Sequence, residues 1–86
     1  MKVFLSGKAE KQFRNLGKAI QVIMAKRVRE LGNNGQPQEE KLSGYKNIFR
    51  TRVGDYRIVY RRTSVEVFIV LIGHRREIYR LLRDLL

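Results

Sequence analysis

The chain has 86 residues, no cysteine and one histidine, and its 19 Lys and Arg against 8 Asp and Glu leave a formal net charge of +11. That length supports a single domain spanning residues 1–86 with a modest core. The missing cysteines exclude disulfides and a Cys/His zinc site, and the charge predicts attraction to a polyanion such as nucleic acid.

The composition implies neither a metal nor a cofactor. The longest apolar run, Val67 to Ile72, falls far short of the ~18 residues of a membrane span, and the start of the chain has no apolar stretch of secretory length. A cytoplasmic protein with no membrane contact is expected.

In chain order, Lys2 to Leu5 reads as a short strand, and Ser6 as a helix N-cap ahead of Ala9, Phe13 and Leu16, whose spacing fits one helical face. Gly17 interrupts that helix. From Lys18, the positions Ile20, Ile23, Met24, Arg27, Val28 and Leu31 recur at three and four, with Gly32 and Asn33 as the stop. The two helices should form a hairpin.

Asn33 to Gly44, rich in Asn, Gly and Gln, is predicted to be a loop. Ile48–Val53, Tyr56–Arg62 and Val65–Ile72 follow as a three-stranded antiparallel meander, joined by Gly54-Asp55 and Thr63-Ser64. The last of these strands is apolar on both faces and is expected at the centre. Glu77 to Leu86 closes the chain as a helix with Ile78, Leu81, Leu82 and Leu85 on one stripe.

The predicted fold class is therefore α+β: an N-terminal strand, a helical hairpin packed on an antiparallel sheet, and a C-terminal helix. A helical hairpin returns the chain to the end where the first strand finished, so the next strand runs opposite to the first. The first strand is then expected to pair antiparallel with an edge of the meander, and which edge stays open.

The charge differs in kind along the chain. Through Glu40 there are five Lys and three Arg, and from Lys41 onward two Lys and nine Arg. Guanidinium groups stay charged and match phosphate oxygens two at a time, so the second half is where phosphate contacts belong. Alternation puts Ile48, Arg50 and Arg52 on one face of their strand and Phe49, Thr51 and Val53 on the other. Arg57, Val59 and Arg61 likewise oppose Tyr56, Ile58 and Tyr60, so Arg57 can join Arg50 and Arg52 on a face expected to be open. The run Gly73-His74-Arg75-Arg76-Glu77-Ile78-Tyr79 lies where a strand ends and a helix begins, and a helix N-terminus favours an anion.

Lys41-Leu42-Ser43-Gly44, Phe49-Arg50-Thr51-Arg52, Asp55-Tyr56-Arg57-Ile58-Val59-Tyr60 and Gly73-His74-Arg75-Arg76-Glu77-Ile78-Tyr79 resemble successive motifs of the RelE family of bacterial and archaeal toxins. The Asp-Tyr-Arg strand is shared with the wider RelE/ParE superfamily, whereas the basic strand before it and the Gly-His-Arg-Arg ending are more specific. The resemblance implies an endoribonuclease that enters the ribosomal A site, cuts messenger RNA there, and is neutralised by a RelB-like antitoxin. It implies a metal-independent cleavage in which the substrate's own 2′-hydroxyl attacks the phosphate.

Carried over residue by residue, the resemblance makes Arg50 and Arg52 the basic pair of the catalytic strand, where the prototype carries lysines. Arg57 becomes the transition-state arginine, Arg75 the arginine after the last strand, and Tyr79 the proton donor near the leaving group. An arginine is a poor general base at neutral pH, so the base stays open, with His74 as a candidate acid or base. Arg61 and Arg76, with Arg50 and Arg52, are candidates for RNA or ribosome contact, although Arg61, Arg62 and Arg76 also read as ordinary solvated charge. The stripe Ile78, Leu81, Leu82 and Leu85 reads as core or as a surface for the antitoxin. Two other readings share this sequence: a ParE-type inhibitor of DNA gyrase with no nuclease site, and a non-catalytic basic nucleic-acid-binding module.

Overall fold

In the computed structural model, which describes residues 1–33 and 39–85, strand β1 (Lys2–Leu5) enters helix α1 (Gly7–Arg14) through Ser6. The Ser6 hydroxyl oxygen accepts from the Ala9 backbone N–H at 3.0 Å, as an N-cap does, and its proton goes to the Val70 carbonyl at 2.7 Å. One side chain thus starts a helix and fastens that corner to a distant strand.

Helix α2 (Lys18–Leu31) starts at Gly17 with no side-chain cap. Its first turn instead serves its neighbour: the Gln21 amide donates to the carbonyls of Phe13 at 3.0 Å and Arg14 at 3.1 Å, where the hydrogen-bond ladder of α1 runs out. The predicted stop at Gly32 is present, for a different reason than a left-handed turn. Gly32 has φ −77°, and a Cβ there would lie 2.7 Å from Val3 Cγ2, so the glycine is required for space against β1.

The remaining elements are β2 (Glu40–Lys41), β3 (Ile48–Val53), β4 (Tyr56–Arg62), β5 (Glu66–His74) and α3 (Ile78–Leu85). Part of the predicted loop, 34–38, lies outside the described residues, as do residue 86 and the side chain of Leu85. Within the same predicted loop, residues 40 and 41 form a strand, pairing Glu40 with Arg50 and Lys41 with Phe49. Gly54 opens the β3–β4 turn at φ +60°, a conformation that favours glycine.

The sheet order is β1-β5-β4-β3-β2, and β1 pairs with β5 in parallel, Val3 opposite Val67 and Leu5 opposite Ile69. The antiparallel pairing expected for β1 is therefore corrected. The physical reason is β2, which is the strand that runs opposite to β1. It adds one reversal, so β3 and β5 regain the direction of β1. The expectation that β5 is central is also corrected: β4 is the middle strand, and β5 is buried on both faces because α1 packs on one side and α3 on the other.

Two apolar clusters sandwich the sheet. Val53, Ile58, Tyr60, Val67, Ile69 and Ile72 pack with Ala9, Met24 and Leu31 beneath α1 and α2, and Phe49 and Tyr56 border them as alternation predicts. On the other face Ile48, Val59, Val70 and Leu71 pack under Ile78 and Leu82 of α3. The face that carries the arginines is thus not open throughout, as expected, because α3 closes one part of it.

Val59 pairs with Leu71 and Tyr60 with Ile69, which leaves Val70 as the extra residue of a bulge in β5. Val70 and Leu71 consequently both face α3. Every residue after the bulge exchanges faces, so Gly73 turns toward the arginines and His74 toward the helical hairpin.

Candidate functional site

Directly opposed residues on neighbouring strands share a face. The pairs Glu40–Arg50, Arg52–Arg57 and Arg57–Gly73 therefore line up four charged side chains on the α3 side of the sheet, toward the end where β3 turns into β4. Gly73 leaves room there for α3: a Cβ at Gly73 would meet Ile78 Cδ1 at 3.1 Å and Leu81 Cδ1 at 3.7 Å. The close seat of the first turn of α3 puts Tyr79 beside β3.

Arg50 is the hub. Its Nη2 donates to Glu40 Oε2 at 2.7 Å, its Nη1 donates to the Tyr79 hydroxyl, and its guanidinium carbon lies 5.3 Å from the centre of the Tyr79 ring. Tyr79 keeps 40% of its surface exposed. Arg57 is held from behind, with Nη1 donating to the carbonyls of Gly54 at 3.0 Å and Tyr56 at 2.9 Å.

Arg75 reaches the same corner because its backbone N–H donates to the Asp55 carbonyl at 2.8 Å, which ties the end of β5 to the β3–β4 turn; its Nε lies 3.9 Å from Asp55 Oδ1. The exposed Arg52 completes the group. Partial burial and then the positive charges of Arg52, Arg75 and Arg50 pull Arg57 below its ordinary value, with Asp55 opposing them. Four guanidinium groups from three segments thus share one field, and an anion placed among them would relieve their repulsion.

Other predicted residues fall outside this group. His74, turned by the bulge, lies edge-on to the Tyr56 ring at 5.7 Å, and its Nδ1 accepts from the Arg76 backbone N–H at 3.2 Å. Arg61 stands at the far end of β4, its guanidinium 5.6 Å from the centre of the Phe68 ring, and Arg76 is exposed in the turn before α3. On the α3 stripe, Ile78 is 0% and Leu82 3% exposed, and Leu81 is partly buried.

The residue that sequence reasoning missed is Glu40. Its position depends on Glu39, whose carboxylate receives both Nη groups of Arg62, at 2.7 and 2.6 Å, and the hydroxyl of Tyr60. Arg62 also lies 4.7 Å from the centre of the Phe49 ring. Burial and the Glu39 carboxylate push the Tyr60 phenol well above its usual range. With Glu39 clamped on the helix-covered face, alternation sends Glu40 to the arginine face. The available sign was the charged triplet Glu39-Glu40-Lys41 just ahead of a basic strand.

A family model described as the ParE toxin of type II toxin–antitoxin systems matches residues 3–79. Comparison with curated proteins returns no match. Among solved structures, the isolated RelE toxin of E. coli is 24% identical with a TM-score of 0.75, covering 99% of this chain and 98% of that one. The RelE–RelB complex of Pyrococcus horikoshii matches at 23% identity and a TM-score of 0.75, covering 86% of this chain and 93% of that one. A YoeB/ParE toxin of Agrobacterium tumefaciens is 14% identical with a TM-score of 0.71, covering 86% and 98%. These solved structures share the fold, and the match over residues 3–79 gives the lineage: the chain belongs to the ParE toxin family of type II toxin–antitoxin systems, within the RelE/ParE superfamily.

Proposed function

We propose that this toxin is a ribosome-dependent messenger-RNA endoribonuclease that blocks translation by cutting messenger in the ribosomal A site. The observation that carries this reading is the sharing of one electrostatic field by Arg50, Arg52, Arg57 and Arg75, with the exposed Tyr79 bonded through its hydroxyl to Arg50. Such a set suits a phosphodiester whose own 2′-hydroxyl is the nucleophile. The bond from O2′ to phosphorus forms and the bond from phosphorus to O5′ breaks, leaving a 2′,3′-cyclic phosphate and a free 5′-hydroxyl.

Arg57 and Arg75 neutralise the charge that builds on the non-bridging oxygens, the step at which fixed donors contribute most. Tyr79 gives its proton to the departing O5′, and Arg50 beside the phenol oxygen stabilises the phenolate left behind. Arg52 holds the flanking backbone, and Arg61 and Arg76, away from the centre, serve ribosomal RNA.

The partner on the protein side is a RelB-like antitoxin, a reading supported by the RelB-bound state of RelE from Pyrococcus horikoshii. Since Ile78 and Leu82 are core residues, an antitoxin that contacts the stripe of Ile78, Leu81, Leu82 and Leu85 must lift α3 off the sheet. Doing so would carry Tyr79 away from Arg50. The described helices include none long and apolar enough to cross a membrane, and work on the ribosome places the protein in the cytoplasm.

The alternative is inhibition of DNA gyrase, favoured by the ParE description of the matching family. One experiment separates the two: purified protein is added to ribosomes programmed with a defined messenger and, in parallel, to a gyrase supercoiling assay. Cuts in the A-site codon with supercoiling intact are expected. Intact messenger together with lost supercoiling would reverse the assignment.

A further inference from the structure

We propose that Glu40 is the general base of the cleavage, taking the proton of the attacking 2′-hydroxyl; this assignment rests on the nuclease reading above. A 2′-hydroxyl must lose its proton as it attacks, and none of the arginines in the cluster can accept one at neutral pH. His74 faces the opposite side of the sheet, toward Tyr56. Glu40 is a carboxylate directly bonded to the hub of the cluster, and its side chain keeps 56% of its surface exposed to an incoming substrate.

The hub supplies the geometry. Arg50 holds Glu40 through Nη2 and Tyr79 through Nη1, so one rigid, planar group sets a proton acceptor and a proton donor side by side. The groups that face Glu40 are Arg50 and Arg52 of β3, Arg57 of β4 and, through Arg50, Tyr79 of α3; of its chain neighbours, Lys41 is exposed and Glu39 is engaged by Arg62. The Arg50 hydrogen bond and charge, with Arg52 and Arg57 beyond, hold the Glu40 carboxyl below the usual carboxylate range, so it is ionised and ready to accept at neutral pH.

A bound phosphate competes with this carboxylate for Arg50. Its arrival therefore loosens the ion pair and makes Glu40 more basic at the moment the 2′-hydroxyl is presented. In the full step the O2′ proton passes to Glu40, O2′ bonds to phosphorus, the bond to O5′ breaks, and O5′ takes the Tyr79 proton. Glu40 then returns its proton to solvent and the Tyr79 phenolate regains one.

The test is single-turnover cleavage on ribosomes programmed with a short synthetic messenger, using the wild-type toxin, Glu40→Gln, Glu40→Asp and Tyr79→Phe. Each is assayed on normal RNA and on RNA with sulfur in place of the scissile O5′, a leaving group that departs without a proton. Glu40→Gln, which keeps an oxygen acceptor for Arg50, is expected to slow cleavage ~10²–10⁴-fold on both substrates and to remove the acidic limb of the pH–rate profile. Glu40→Asp should recover part of the rate, and sulfur should rescue Tyr79→Phe alone. Wild-type rate and an unchanged pH profile in Glu40→Gln, or rescue of Glu40→Gln by sulfur, overturns the base while leaving the nuclease standing. Intact messenger with the wild-type toxin overturns the nuclease reading, and the base with it.

Discussion

The two faces of the sheet handle the same residue type in opposite ways. On the helix-covered face Arg62 is bonded twice to Glu39, stacked near Phe49 and largely enclosed, and it serves to anchor β2. On the α3 face, Arg50, Arg52, Arg57 and Arg75 share two carboxylates, Glu40 and Asp55, and burial together with the charges of the other three lowers the affinity of Arg57 for a proton. Repulsion that folding leaves uncompensated is available to a ligand. A charge with its full complement of partners belongs to the structure, and a surplus gathered at one exposed corner marks a candidate site.

Removing charge from each face separates the two roles most sharply. Arg57→Ala should lower cleavage on programmed ribosomes by about 10²–10³-fold, the usual cost of one transition-state donor, with thermal stability nearly unchanged because the loss of two turn hydrogen bonds is offset by relief of repulsion. A comparable loss of melting temperature would make Arg57 structural.

Glu39→Ala should act in the reverse order, costing about 1–3 kcal/mol of stability by denaturant unfolding, since it leaves Arg62 and the Tyr60 hydroxyl without their acceptor. Any fall in cleavage should follow from β2 losing its anchor, and Glu39→Gln, which retains one acceptor, should lie between the variant and the wild type. If stability held while cleavage vanished, the division between the faces would fail.

The smallest effect is on pH dependence. Glu40 has a lowered pKa in the folded state, so its pairing with Arg50 contributes above the unfolded carboxylate pKa and is lost only as pH falls through the lowered folded value. Because the group is mostly exposed to solvent, the change in melting temperature should be slight. NMR titration of the Glu40 carboxyl should still find its midpoint below that of a free glutamate, and Arg50→Ala should return it to the ordinary range.

The strands β3 and β4 were legible to the residue, since their alternation of apolar and basic side chains has one reading once a face is buried. The basic cluster followed from the same parity. Two short features escaped. β2 has only two residues and no apolar alternation, and it exists because the Arg62–Glu39 contact, 23 positions apart, holds it against β3. The Val70 bulge lies in a run, Val67 to Ile72, that is apolar at every position, so no pattern marks the residue that is extra. Each changed an orientation: β2 reversed the sense of every later strand relative to β1, and the bulge moved His74 off the face that carries the arginine cluster.

By itself, the amino-acid sequence determined which residues alternate, which helix faces are apolar, and that nine of the chain's arginines lie beyond Lys41, because these follow from backbone periodicity and local chemistry. Only the tertiary structure decided which of those arginines meet, that a glutamate joins them, and that α3 brings Tyr79 to Arg50. The reason is physical: parity and partner choice between distant segments are set by long-range contacts, where one added strand or one bulged residue inverts the outcome.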